Sequence, residues 1–339
     1  MREVLNVQKQ LIPELTDVLR RRYTILNHML LMGTSGRRTL AASLGITERV
    51  LRAETDFLKA QNLIVTGNSG MRVSQTGEEL LLTMEPMVKE LFGLSDMEDQ
   101  LCARFRLSSV TVVPGDCDSS PYAKKELGRA GGAALRRAVA PSDIIAVAGG
   151  STMAEIANWL SFPGNIKDVR FVPARGGLGE SLELQANTIA STMAKRTGSQ
   201  YRLLHVPDHL GEEAYQSLMQ EPNIRELVGV IRNARIVLHG IGEAVRMAER
   251  RKVDAATIEQ LKCDGALAEA FGYYFDRSGN VLHKMPTVGL RLEDIRQSEA
   301  VIAVAGGASK AEAIAAVMRF GHTDVLVTDE AAARIMLEA

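Results

Sequence analysis

The chain has 339 residues, 46% of them apolar and 24% charged, with a formal net charge of −1. That length exceeds what one hydrophobic core usually serves, and the composition is that of an ordinary globular protein, so two domains are expected and disordered or fibrous classes are excluded. No apolar run is long enough for a bilayer, the amino terminus lacks the apolar stretch of a secretory signal, and Cys102, Cys117 and Cys263 are too few and too scattered for a disulfide framework. A cytoplasmic protein with no membrane partner is the expectation. The six histidines show no zinc-site spacing, and no metal or cofactor is expected.

The charge is unevenly spread. Between Glu14 and Val73 nine Lys or Arg face five acids, giving that segment +4 and leaving −5 on the rest. A basic module on an acidic body hints at DNA. Within it, Leu15, Val18, Leu19, Leu26, Met29 and Leu30 recur at helical spacing over 14–32. A break at 33–36 precedes a short helix from Arg37 to Leu44, then Gly45-Ile46-Thr47, then a second helix to about Ala60. Gly45 suits the left-handed end of one helix and Thr47 the N-cap of the next, with Ile46 turned to the core. This is the layout of a helix-turn-helix. Leu63–Thr66 and Met71–Ser74 around a Gly/Asn turn read as a hairpin, the wing of a winged helix. A three-helix domain with no DNA role is the alternative.

The second helix of such a motif enters the major groove by its first turns. That nominates Thr47, Arg49 and Arg52 for base edges, with Thr55 further along. Arg37 and Arg38 on the preceding helix and Arg72 on the wing are candidates for phosphate contacts. Each could equally be a solvated surface charge. Helical stretches continue from Thr76 to about Leu107, broken near Gly93, with Ser95 and Glu98 spaced as a capping box. The expected division is a winged helix-turn-helix with its helical connector over 1–92 and an effector-binding, oligomerising domain over 93–339.

From Ser109 the texture changes. Short β-branched runs begin near Val110, Ile144, Val169, Tyr201, Ile236, Val301 and Val325, mostly with helical patterns between them. That alternation predicts a doubly wound, mostly parallel α/β sheet with helices on both faces. Two runs end alike, in Ala148-Gly149-Gly150-Ser151-Thr152 and in Ala305-Gly306-Gly307-Ala308-Ser309-Lys310, each leading into a helix. A strand, a glycine pair and a helix start gather backbone N–H groups at the positive end of a helix dipole, which suits phosphate. The loop Pro173–Glu180 adds Arg175 with Gly176, Gly177 and Gly179, and His239–Glu243 follows another strand. Four such loops along one sheet edge point to a ligand with more than one phosphate, although tight strand-to-helix turns would need glycines too. No Gly-Lys dipeptide exists, so there is no Walker loop, and Gly240-Ile241-Gly242 with Val245 falls short of a dinucleotide fingerprint. A sugar-phosphate isomerase or deaminase is the alternative function, since Glu180, Glu243 or Glu269 could serve it as a base.

Several segments resemble a known family. Arg37–Leu40 with Gly45–Arg52, Val172–Glu180, Gln185–Thr188, Glu269–Phe275 and Ala305–Ala313 are similar to the SorC family of sugar-responsive transcriptional repressors, over about Gln8 to Thr328. The resemblance implies a repressor, not an enzyme, acting as dimers and tetramers on paired operator sites of an operon for the triose-phosphate part of glycolysis. It implies fructose 1,6-bisphosphate as inducer, and an effector domain related to sugar-phosphate isomerases and deaminases that has lost catalysis. Carried onto this chain, the phosphate loop is Gly149, Gly150, Ser151 and Thr152, with Ser151 where the family pattern has Thr. Arg175, Lys310 and Arg250 match cationic contacts, Arg251 is Arg250's companion, and Gln185 and Glu269 match groups for sugar hydroxyls.

Overall fold

The structure is a computed structural model that describes residues 11–339 apart from 35, 68–69, 165, 178–180, 209–210 and 286. The wing turn at Asn68-Ser69 and the loop residues Gly179 and Glu180 therefore lie outside the described residues. The chain divides into two compact units, Met1–Asp96 and Met97–Ala339.

The first unit holds helices Pro13–Met32, Arg37–Leu44, Glu48–Ala60 and Gln75–Phe92 and a hairpin of β1 (Ile64–Gly67) and β2 (Gly70–Val73), paired antiparallel. Its core joins Ile25, Leu26 and Met29 of the first helix to Leu40, Leu51, Leu58, Ile64 and Leu81. Gly45 ends the second helix in the left-handed conformation, with φ 64°. The Thr47 hydroxyl caps the third by accepting the Val50 N–H at 3.3 Å. The helix Leu94–Phe105 starts directly after Gly93. Ser95 therefore sits inside its first turn and is not its cap, and the Glu98 carboxylate accepts the Val112 N–H at 2.8 Å.

The second unit is built on β3 (Ser109–Val113), β4 (Ile144–Val147), β5 (Arg170–Pro173), β6 (Gln200–Tyr201), β7 (Ile236–His239), β8 (Gly242–Glu243), β9 (Ala268–Ala270), β10 (Tyr273–Phe275), β11 (Val281–Lys284), β12 (Ala300–Val304) and β13 (Val325–Asp329). Seven of them form one sheet in the order β3-β13-β12-β7-β4-β5-β6. All its pairings are parallel. Its central strands are buried on both faces, as Ile145, Ala146, Val147, Val237 and Leu238 show, which a sheet flanked by helices requires. The strand expected over 201–204 shrinks to Gln200–Tyr201. A second sheet, antiparallel and in the order β11-β10-β9-β8, was not expected from the sequence. From β4 the chain winds outward through β5 and β6, and from β7 it winds the other way through β12 and β13. The winding reverses between β4 and β7, and a crevice opens at the carboxyl ends of strands at such a point.

Candidate effector site and recognition helix

At that point lies a cavity of about 630 Å³. Gly149, Gly150, Ser151, Thr152, Arg175, Gln185, Arg250, Arg251, Glu269 and Lys310 all line it. Ten of the twelve residues expected in the site are thus brought together. Gly177 is not among them: its N–H donates to the Val206 carbonyl and its carbonyl accepts from Asp208, both at 2.9 Å. Those two bonds give it a structural task, fixing Asp208 beside Arg175. The twelfth, Gly179, lies outside the described residues.

One part of the cavity lining is an open helix start. Gly150 adopts φ 112° and ψ 165°, a conformation essentially restricted to glycine, and its N–H donates to the Leu184 carbonyl at 2.8 Å. Ser151 and Thr152 follow as the first residues of the helix Ser151–Trp159, where a helix offers their N–H groups no internal acceptor. Lys310 reaches the same region. Burial pushes its ammonium below the ordinary lysine value; Asp118 opposes that shift, and Lys124 and Arg246 reinforce it.

The matching loop after β12 repeats the backbone, with Gly307 at φ 108°, but not the function expected of it. Its amides are already filled. Gly307 N–H donates to Asp329 at 2.7 Å, Ala308 N–H to Asp116 at 3.2 Å and Ser309 N–H to Asp118 at 2.7 Å. The protein supplies its own anions there, and only Lys310 of that loop serves the cavity. The loop after β7 is likewise committed, because the Glu243 carboxylate accepts the Val245 and Arg246 N–H groups.

Another part of the lining is a buried charge network. Arg175 donates to both oxygens of Asp208, at 2.9 and 2.6 Å, and to Glu269 at 3.2 Å. Arg251 donates to Glu269 at 2.7 Å and stands 3.7 Å from Asp208. Burial opposes the Arg251 charge, but Glu269 and Asp208 outweigh it and hold the guanidinium above its ordinary value. Two cations meet two carboxylates. A guanidinium carries five N–H groups, so donors remain on both arginines, and Nε and Nη1 of Arg251 are buried with no hydrogen-bond partner in the structure. Glu269 also accepts the Gly272 N–H at 2.5 Å, so neither it nor Glu243 is a free base. His239, fully buried against the Phe271 ring at 4.4 Å, has its pKa lowered by burial to about 4. Asp208 and Arg246 escaped the sequence reading, and His239 entered it only as the start of a glycine loop, not as a lining side chain. Asp208 gave no signal, coming from a segment without regular pattern.

In the first unit, Arg49 and Arg52 are exposed on the helix Glu48–Ala60, opposite the buried Leu51, Glu54, Thr55 and Leu58. Thr55, expected further along the base-reading face, lies on the core face instead. It is 2% exposed and its hydroxyl donates to the Arg52 carbonyl, so it cannot read a base. Its place four residues after Leu51 puts it on the core face. Arg37, Arg38 and Arg72 are exposed, with Arg37 4.0 Å from Asp56 and Arg38 3.4 Å from Glu48. Such surface pairs are weak and leave the cations available. Arg21 and Arg22 instead serve the fold, pairing with buried Glu54 at 3.3 and 2.8 Å.

Comparison with known proteins agrees with this division. Residues 18–88 match the family described as "CggR N-terminal DNA binding domain" and residues 89–338 the one described as "Putative sugar-binding domain". The chain is 50% identical over 98% of its length to the Central glycolytic genes regulator of Priestia megaterium, covering 98% of that protein. It is 44% identical to the Central glycolytic genes regulator of Bacillus subtilis, over 99% of each chain. A solved structure described as a "putative SorC family transcriptional regulator" from Enterococcus faecalis is 40% identical, with a TM-score of 0.67 over 71% of this chain and 99% of that one. The full-length sorbitol operon regulator SorC from Klebsiella pneumoniae, 18% identical, shares the fold with a TM-score of 0.67 over 94% of this chain and 98% of its own.

A DNA-binding unit joined to a sugar-binding domain, with relatives of this kind, defines a transcriptional regulator and not an enzyme. The chain belongs to the SorC family of transcriptional regulators. Among the described residues no helix is long and apolar enough to cross a membrane.

Proposed function

We propose that the protein represses, in the cytoplasm, an operon for the triose-phosphate part of glycolysis, binding operator DNA as dimers and tetramers, and that fructose 1,6-bisphosphate in the cavity relieves repression. The observation that carries this reading is one cavity lined by two sets of donors: an open helix start with Ser151, Thr152 and Lys310, and the guanidiniums of Arg175 and Arg251. Its volume of about 630 Å³ falls in the range of small-molecule sites. A phosphate suits the helix start by charge and by hydrogen bonding. Arg250, exposed at the cavity, supplies a cation for a second phosphate, and Glu269 and Gln185 supply acceptors for hydroxyls. The names of the two Central glycolytic genes regulators reported above support a glycolytic operon.

An effector shifts DNA affinity only by binding one state better, and such couplings are about 1–3 kcal/mol, or roughly 5–150-fold. The test is to titrate fructose 1,6-bisphosphate into the protein bound to its own upstream DNA at fixed salt, because backbone contacts depend steeply on salt. Weakened or less cooperative binding supports the proposal. Binding of the sugar with operator affinity and cooperativity unchanged rejects it.

A further inference from the structure

The helices Pro121–Ala138 and Ser151–Trp159 pack side by side with their starts at the same end. Gly128 makes this possible: a Cβ there would fall 2.6 Å from Glu155 Cγ and 3.0 Å from the Glu155 backbone carbon. Three residues on, Gly131 meets Ile156, its Cβ position 2.8 Å from Ile156 Cδ1. Gly132 follows, its Cβ position 3.8 Å from Leu160 Cα. Residues four apart share a helix face. One turn before Gly128 that face carries Lys124, and one turn before Glu155 its partner carries Ser151. The register that seats Gly128 on Glu155 thus sets Lys124 beside Ser151, and Lys124 Nζ donates to Ser151 Oγ at 3.0 Å.

Lys124 is half-buried and has cationic company. It and Arg246 both act electrostatically on Lys310, opposed there by the Asp118 carboxylate. Three cations around one acid beside a helix start repel one another, and a bound dianion relieves that repulsion. A lysine ammonium has donors only, so its bond to Ser151 uses an oxygen lone pair and leaves the hydroxyl proton free to be donated elsewhere.

We infer that Lys124 is a positioning residue of the phosphate cradle, holding the Ser151 hydroxyl so that its proton points at the effector's phosphate and adding a second cation to that of Lys310. This rests on the phosphate reading of the Gly149–Thr152 loop proposed above. Lys124 lies outside every loop that the sequence singled out, and only the packing of the two helices brings it to the site.

The experiment measures the affinity of the full chain for fructose 1,6-bisphosphate and, separately, for inorganic phosphate by calorimetry. Lys124→Met keeps the length of the side chain and removes its charge; Lys124→Arg restores a donor; Arg136→Met, exposed near the far end of the same helix, is the control. Loss of one charge-assisted hydrogen bond corresponds to about tenfold weaker binding. The inference expects that loss for Lys124→Met with both probes, recovery of most of it in Lys124→Arg, and no change in Arg136→Met. It also expects Lys124→Met to cost less in a Ser151→Ala background, because the two act through one bond. Wild-type affinity in a folded Lys124→Met protein overturns it and leaves the effector reading standing. Wild-type binding of inorganic phosphate without fructose 1,6-bisphosphate overturns the effector reading, and the phosphate series then decides the role of Lys124 alone.

Discussion

Asp208 holds more of the second unit together than its place in an irregular segment suggests. Both its oxygens are bound by Arg175, at 2.6 and 2.9 Å, and its side chain is only 3% exposed. Asp208→Asn leaves two buried guanidiniums sharing the single carboxylate of Glu269. Removing one partner of a buried pair costs about 3–5 kcal/mol, because the cost of desolvating the other charge stays while its compensation goes. For a domain of this size a loss of 1 kcal/mol lowers the melting midpoint by roughly 2–4 °C, so a fall of the order of 6–20 °C is expected. Differential scanning calorimetry of the full chain reads it as a shift of one transition. The decisive comparison is Asp208→Leu combined with Arg175→Met. That double variant leaves Arg251 and Glu269, 2.7 Å apart, as a balanced pair, and should recover most of the lost stability. If Asp208→Asn melts within 2 °C of the parent, or the double variant melts lower than either single one, the account of the network as two compensating pairs is wrong.

Arg49→Ala and Arg52→Ala should each weaken operator binding by about 1–3 kcal/mol, and Thr55→Val should leave sequence preference untouched, as titrations on operator and scrambled duplexes at one salt concentration would show. Gly150→Ala meets no neighbour within 4 Å, yet must hold φ 112°. Strain of about 1–3 kcal/mol should appear in denaturant unfolding, with weaker binding of fructose 1,6-bisphosphate. His239 is neutral in the fold because burial lowers its pKa to about 4, whereas the unfolded chain takes up that proton near 6.5. The unfolded state then binds more protons between those values, so stability is full above pH 6.5 and falls toward pH 4, by the order of 3 kcal/mol. Unfolding of the parent and of His239→Asn at pH 7 and pH 5 checks the sign: the parent should lose more on acidification.

The parallel sheet was legible because each central strand is buried on both faces and so reads as an unbroken β-branched run ending in glycine, as at Ile144–Val147 and Ala300–Val304. The helix-turn-helix was legible because Gly45 and Thr47 act locally. Strands as short as Gly242–Glu243 and Ala268–Ala270 carry no such signature, and the antiparallel sheet went unseen. The glycine pair after β12 was legible as a backbone shape but not as a filled one, since its carboxylates come from other loops, Asp116 and Asp118 from far back in the chain and Asp329 from the end of the next strand. Thr55 was misplaced through helix phase: chemistry put it with Thr47, while its spacing from Leu51 put it in the core. Within the site, the groups that act through backbone shape were found, whereas Asp208, which neutralises Arg175, and Arg246, a further cation beside Lys310, were not.

The glycine-seated pair of helices has a mechanical consequence. Because a Cβ at Gly128 would fall 2.6 to 3.0 Å from Glu155, the helices approach closely only through the bare glycine, and one rod sliding past the other would bring a side chain into that seat. A pull exerted at Ser151 is therefore shared at once with the helix Pro121–Ala138, which spans about 27 Å at the usual rise per residue. Slack is absent where the load enters, so a sub-ångström adjustment at the first turn is not absorbed there. Two close-packed helices respond to such a load as one body.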